Sequence, residues 1–263
     1  MITVQSWGIA GALVDRGRPG RAWLGASRGG ALDLVSHALA HRLVGNPETA
    51  ACIETSGGLV LLVHEPVMVA VTGAVVSVTV HDGPPLGWGA PVVLPAGAQV
   101  HVHRLVEGAR AYLAVRGGLR ARGNELVVGV DPVEPAATMA AARRTPRVDI
   151  EVWPGPRSDW FLPEAMERLL SNPFVVATTS RVGTRLHGLP LERVHAAELA
   201  SEGMVEGAIQ VPPDGQPIVM LADHPTTGGY PVIAVVGPDD VHHVAQAAPG
   251  TALRFHLPRR RVR

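Results

Sequence analysis

The chain's 263 residues can bury one large core or two modest ones, and short Val-rich runs punctuated by 30 Gly and 23 Pro favour two β-rich halves over a helix bundle. Its 23 basic residues balance 23 acidic ones, which removes the basic field of a nucleic-acid binder. Every basic residue is Arg, so a Walker-A lysine, a Schiff base and an attached biotin are all excluded within the chain; Cys52, the one cysteine, leaves no disulfide and fits a reducing cytoplasm.

In chain order, MITVQSWG alternates like a strand and lacks the basic-then-apolar order of a secretory signal. The segment DLVSHALAHRLVGN, 33–46, predicts a helix capped by Asp33, with Leu34, Ala38, Leu39 and Leu43 on its apolar face and Gly45-Asn46 ending it. The runs LVLLV at 59–63 and VMVAV at 67–71 are strand length, far short of a bilayer span, so no membrane is expected as a partner. VMVAVTGAVVSVTV, PVVLPAGAQVHVH and ARAYLAVRGG read as successive strands.

Residues 131–156 lack periodicity and read as a connection, with a boundary near 147 separating an N-terminal half, 1–147, from a C-terminal half, 148–263. Beyond it, PEAMERLL at 163–170 predicts a second helix opened by Pro163 and closed by Ser171-Asn172-Pro173. PFVVATTS, GAIQVPPDGQPIVMLA, YPVIAVV and TALRFHL read as strands, with PPDGQ at 212–216 as a hairpin turn; the final RRRVR reads as a solvated tail.

Several patterns raise specific chemistry. GASRG at 25–29 matches a nucleophile elbow, but the two residues before it are too few for the required strand, and the next helix starts only at Asp33. His37 and His41 have the i, i+4 spacing of a zinc pair, yet Ala38 stands where a zincin needs Glu, so they read as partly exposed helix histidines. His101 and His103 alternate onto one strand face, His242 and His243 point opposite ways if extended, and no metal is expected. Asp15, Asp33, Glu54 and Asp223 adjoin Gly- or Arg-rich turns. Asp223 at a strand end is either a pocket carboxylate beside the Thr226-Thr227-Gly228-Gly229 donors or the anchor of an Asx-type turn. Arg18, Arg181 and Arg185 are fork donors for a carboxylate or phosphoryl group, or members of internal salt bridges.

VDRGRPG at 14–20, GGALD at 29–33, RLVGN at 42–46, ACIETSGG at 51–58, TGA at 72–74, ARAYLAVRGG at 109–118, SRVGTRLHG at 180–188, SEGMVEGAIQVPPDGQPIVMLADHPTTGGYP at 201–231 and QAAPGTALRF at 246–255 resemble, in order, the allophanate hydrolase subunit 2 family. This family is also called the biotin-dependent carboxyltransferase group, and it includes the C subunits of 5-oxoprolinase. The resemblance implies a mainly β, cyclophilin-like barrel architecture with few helices. It also implies action with a separate B-type partner, an allophanate hydrolase subunit 1-like protein, with an A-type protein as a possible third component. The implied assembly is an ATP-dependent hydrolase that opens the lactam of 5-oxoproline, a small amide substrate, to glutamate. One alternative is the carboxyltransferase component of a biotin-dependent urea carboxylase; another is a non-catalytic regulator of a subunit-1 protein.

By motif position the resemblance assigns Asp223, Arg185 and Tyr230 catalytic roles, and Arg18, Asp33, Arg181, Gln210, Thr226, Thr227, Gly228, Gly229 and Gln246 substrate contacts. Asp223 would take a hydrogen bond or proton from substrate nitrogen, and Arg185 would neutralise a carboxylate. No cofactor is expected to be covalently bound; ATP is implied for the complex, and biotin in the carboxylase alternative. Two departures stand out: GLRARGNELVVGVDPV follows RGG directly where relatives carry a longer loop, and His224-Pro225 replaces a common Gln-containing pair.

Overall fold

The computed structural model describes residues 1–81, 83–122, 125–131, 133–138, 146–195, 197 and 199–258. The Arg-rich tail and part of the expected connection, 139–145, lie outside the described residues. The chain divides into two compact units, one of Met1–Gly17 and the stretch from Asp33 into the connection, the other of Arg18–Leu32 and everything from Pro146 onward. Arg18–Leu32 is thus a piece of the N-terminal sequence that packs with the C-terminal unit, a non-local assignment no periodicity could reveal.

The first unit contains β1 (Ile2–Ser6), β2 (Ala12–Val14), α1 (Leu34–Val44), β3 (Cys52–Thr55), β4 (Leu59–Val63), β5 (Val67–Val80), β6 (Val92–Leu94), β7 (Gln99–Val115), β8 (Leu119–Arg122) and β9 (Glu125–Val128). They form a nine-stranded sheet ordered β2-β3-β7-β4-β1-β9-β8, with β5 pairing β6 and β7. The two runs expected at 91–103 and 109–118 are instead short β6 and one 17-residue strand, β7. Register shifts between Gly73 and Val78 let β5 follow β7 through the bend where the sequence loses its alternation.

The strand period of two sorts side chains onto two faces. Ile53, Val69, Val71, Leu113 and Val115 form an apolar core with Leu59, Leu61 and Val100, each large aliphatic contributing about 1.5–3 kcal/mol by leaving water. The intervening positions of β3, β5 and β7 face α1, which packs on β5 and β7. Asp33 caps α1 through Val35 N–H (3.1 Å) and Ser36 N–H (2.9 Å), as expected. Gly45 ends it at φ +74, where a Cβ would stand 2.1 Å from the Glu134 carbonyl oxygen.

The second unit contains β10 (Asp149–Pro154), α2 (Pro163–Ser171), β11 (Phe174–Thr179), β12 (Gly183–His187), β13 (Glu202–Gly203), β14 (Ala208–Gln210), β15 (Ile218–Met220), β16 (Thr227–Gly228), β17 (Val232–Val236), α3 (Val241–Ala245) and β18 (Ala252–His256). A closed barrel runs β10-β17-β14-β15-β12-β11-β18, filled by Ile150, Val152, Phe174, Leu186, Ile209, Val219, Ile233 and Phe255. β10 corrects the expected connection: Ile150 and Val152, both fully buried, alternate into the barrel, and the Pro and Gly that follow are the strand's end. The second predicted helix forms with Pro163 in its first turn, and the PPDGQ hairpin joins β14 to β15 with Gly215 at φ +74. Helix α3 is too short for its period to show in the sequence. It places the His242 and His243 rings 3.9 Å apart, which corrects the extended geometry expected for them.

Candidate functional site

In the second unit two of the predicted residues, Arg181 and Asp223, meet at the loop end of the β12–β15 ladder. Arg181 lies just before β12 and Asp223 just after β15. The Arg181 Nε donates to Asp223 Oδ2 (2.7 Å) and its Nη2 to Asp223 Oδ1 (3.1 Å) and the Gly30 carbonyl (2.6 Å). Asp223 is therefore neither an Asx-turn anchor nor an unpaired base: a guanidinium fork grips both oxygens, and each keeps a lone pair for another donor. The same corner holds the Arg18–Leu32 segment. Gly29 N–H donates to the Ala222 carbonyl (3.0 Å), Arg28 forks onto Glu206 (2.7 and 2.8 Å), and Arg18 N–H donates to the Arg28 carbonyl (2.6 Å). The Arg18 side chain is exposed and makes no ion pair among the described residues. Ser27 sits in irregular chain with neither a preceding strand nor a following helix, so the elbow reading has no structural basis.

The TTGGY stretch is more regular than a turn. Thr227–Gly228 pairs as β16 with β13, Thr226 and Gly229 carbonyls accept from Met204 and Leu199 N–H, and an Arg157 fork grips Glu202 of β13. That hydrogen bond holds the Glu202 carboxyl below the usual range. Beneath it, Gln210 Nε2 donates to the Tyr230 carbonyl (3.0 Å), and a Cβ on Gly228 would meet that amide at 2.6 Å. Gln210 is thus a buried support for the ladder. Thr226 and Tyr230 are half-buried and Thr227 is exposed.

Other predicted residues lie elsewhere. Arg185 stands opposite Ile218, further along the ladder, and is paired with Asp214 of the hairpin turn, both substantially exposed. Gln246 is buried at the C-terminal end of α3, its N–H on the His242 carbonyl (3.1 Å). Asp33 belongs to the first unit.

There the sheet face under α1 carries Cys52, Glu54, Thr72 and Tyr112, each 1% exposed or less. Tyr112 OH donates to Glu54 Oε2 (2.8 Å) and accepts from Asp33 N–H (2.7 Å); Ser36 OH donates to Asp33 Oδ2 (2.6 Å), and Thr72 OH to the Ser36 carbonyl (2.7 Å). Burial, then the Glu54 and Asp33 charges, push the Tyr112 phenol well up, so it stays a proton donor. His37 and His41, expected to be partly exposed, are fully buried, because α1 turns its Ser36-His37-Ala40-His41-Val44 stripe to the sheet. Burial pulls the pKa of both below the ordinary value, His41 to about 3 with His37's ring beside it. The sequence signal that reasoning missed was polar residues at alternate positions, Cys52 and Glu54, then Arg110 and Tyr112, inside apolar strands.

Two β-rich units, one a sheet packed on a polar-faced helix and one a closed barrel, agree with the two-subdomain organisation of a carboxyltransferase module. The chain belongs to the family of the carboxyltransferase domain, subdomain A and B, whose pattern matches residues 24–124 and 121–257. It is 32% identical to the C subunit of 5-oxoprolinase from Escherichia coli over 97% of this chain and 90% of that one, and 30% identical to the Haemophilus influenzae C subunit over the same shares. Its similarity to Saccharomyces cerevisiae urea amidolyase is 28% identity over 91% of this chain but 16% of the much longer relative. Among solved structures, TTHA0988 superposes with a TM-score of 0.84 at 32% identity, covering 97% of this chain and 55% of that one. The chain therefore spans about half the length of that solved relative. The alignment to the E. coli protein runs over 282 positions, more than the 263 residues present, so the relative carries extra residues within the matched span.

Proposed function

We propose that this chain is the C subunit of a 5-oxoprolinase-type assembly, contributing an amide-binding corner to a reaction completed with partner proteins. The observation that carries the reading is a near full-length match, in both directions, to proteins named as the C subunit of 5-oxoprolinase. The corner has suitable chemistry. Asp223, held by Arg181, offers its remaining lone pairs to a lactam N–H. The half-buried Thr226 hydroxyl and the Tyr230 phenol are donors for a carbonyl oxygen on which charge develops, and the exposed Arg18 guanidinium suits a substrate carboxylate.

A chain without lysine supplies no lysine clamp for ATP phosphates and no biotin attachment point. The energy source and its site are accordingly assigned to partners of the B and A types, with urea-type carboxyl transfer as the related alternative. The decisive experiment is reconstitution: the chain with its B-type partner and then the A-type protein, assayed for ATP-dependent release of glutamate from 5-oxoproline. Turnover that requires this chain, and that falls strongly in Asp223→Asn, is expected. Turnover without this chain overturns the reading, a stable complex without turnover replaces it with a binding role, and bicarbonate- and biotin-dependent urea carboxylation replaces it with the carboxyltransferase alternative.

A further inference from the structure

We propose that His37, His41 and Cys52 form a binding site for a thiophilic d10 metal ion, of the zinc(II) or copper(I) class. One donor atom from each residue lies within 4.8 Å of the others, and all three residues are 0% exposed. Both ring nitrogens of His37 and Nε2 of His41 are buried without a hydrogen-bond partner among the described residues. The Val14 and Ala50 backbone lies near these rings without meeting hydrogen-bond geometry, and the rings stand beside a network in which Asp33, Tyr112 and Asn46 are all bonded. A metal ion takes the one lone pair of neutral His37 directly, and that of His41 only once its proton leaves Nε2.

Regular elements fix the donors. His37 and His41 are one turn apart on α1 with ring centroids 4.5 Å apart, and Cys52 opens β3 on the sheet face that α1 covers. Ligands around tetrahedral zinc stand roughly 3.5 Å from one another, so the cluster closes on an ion with side-chain movement on the order of 1 Å. Burial dominates and keeps both rings neutral, with His37 adding to it at His41; the backbone of Val14 and Ala50 and the Asp15 carboxylate at His37, and Asp131 and the Ala50 backbone at His41, oppose it only in part, so each ring holds one lone pair that an ion could take. Thiolate and imidazole together select soft or borderline ions over magnesium or calcium.

The charges balance in either case. Burial and the nearby Glu54 keep the proton on Cys52, so binding breaks the S–H bond, forms a metal–sulfur bond and releases that proton to solvent. One thiolate neutralises copper(I); with zinc(II) the remaining positive charge is met by the buried Glu54 carboxylate two residues along the strand. His41 is the weakest of the three ligands. Asn46, its amide fixed by the Val115 carbonyl (2.7 Å) and Gly117 N–H (2.8 Å), sits 3.2 Å from His41 Nδ1, and its NH2 keeps the His41 proton on Nε2. That ring joins only by moving its proton to Nδ1 and giving up the contact.

The test uses the full chain, stripped by chelator and then titrated with cobalt(II) as a zinc surrogate, with zinc(II), and with copper(I) under anaerobic reducing conditions, against a chromophoric competitor. Since Cys52 is the only cysteine, thiolate-to-metal charge-transfer absorption at one ion per chain identifies it in the unaltered protein, whether or not a variant folds. We expect that band, its loss in Cys52→Ser and His37→Gln, about tenfold weaker binding in His41→Gln, and unchanged stoichiometry in His101→Ala. Copper(I) binding alone assigns the monovalent ion, and cobalt and zinc binding the divalent one. Absence of the band with every ion, or loss of binding in His101→Ala, overturns the site.

Discussion

The polar face under α1 and the corner around Asp223 solve opposite problems. In the first unit, His37, His41, Cys52 and Tyr112 ride on regular elements and are removed from water, so burial sets their protonation. In the second, Asp223, Glu206 and Glu202 stand at or near strand ends, partly wet, each gripped by an Arg fork. Helix and sheet can hold neutral polar groups rigidly in a dry place. Loops that must stay in reach of solvent use paired charges, where geometry rather than desolvation does the fixing.

The largest expected effect breaks the dry side with acid. His41 has a folded-state pKa of about 3 against an ordinary value of 6.5, so between these limits the unfolded chain binds a proton that the folded chain refuses. Its stabilising contribution is whole above pH 6.5 and is lost as pH falls toward 3, at about 1.4 kcal/mol per unit, roughly 4–5 kcal/mol across the window. Urea midpoints of the metal-free chain from about pH 7 to about pH 4 check this, and His41→Gln is expected to flatten the slope by about one proton. An equal slope in both proteins would sink the assignment.

Next in size is Tyr112→Phe, which leaves the Asp33 N–H and the buried Glu54 carboxylate each short of a hydrogen-bond partner. We expect a loss of about 1–3 kcal/mol by chemical denaturation. On the wet side, Gly228→Ala pushes a methyl group into Gln210 Nε2 and the Met204 Cε atom 2.7 Å away, at a cost of about 1–3 kcal/mol. The local signature is faster amide exchange at Met204 and Leu199, whose N–H groups are held by the TTGGY carbonyls.

Much of the architecture was legible because local signals agreed with it. Asp33 and Gly45 bound α1, Pro163 opens α2, and Asp214-Gly215 turns the hairpin where periodicity already changes. β10 was hidden because only six residues alternate before the chain leaves the strand at Pro154 and Gly155, and α3 because five residues carry too little period. The site was half legible. Residue type and strand-end position singled out Asp223 and Arg181, but pairing is a long-range fact, and nothing local distinguishes Arg181 on Asp223 from Arg185 on Asp214. Burial of the histidines is hidden for a related reason: a helix with Leu34 and Leu39 on one side can still turn its imidazoles inward when the facing sheet is polar.

Those two arginines give the sharpest comparison at the smallest energies. Arg181 has 20% of its side chain exposed and donates two hydrogen bonds to Asp223 and one to the Gly30 carbonyl, so Arg181→Ala strands a half-buried carboxylate and loosens the 18–32 segment. A loss of about 1–3 kcal/mol is expected, with faster amide exchange at Gly29, whose partner is the Ala222 carbonyl. Arg185 and Asp214 are 44% and 47% exposed, and water replaces either partner freely, so Arg185→Ala should cost about 0.5 kcal/mol or less. In a reconstituted assembly the two variants separate structure from chemistry. If Arg185→Ala abolishes turnover while leaving the unfolding midpoint unmoved, that guanidinium meets substrate or partner and the corner is wider than the Arg181–Asp223 pair. If only Arg181→Ala lowers turnover, the Asp223 pair is the part of this ladder that the reaction depends on, and Arg185 merely closes the hairpin.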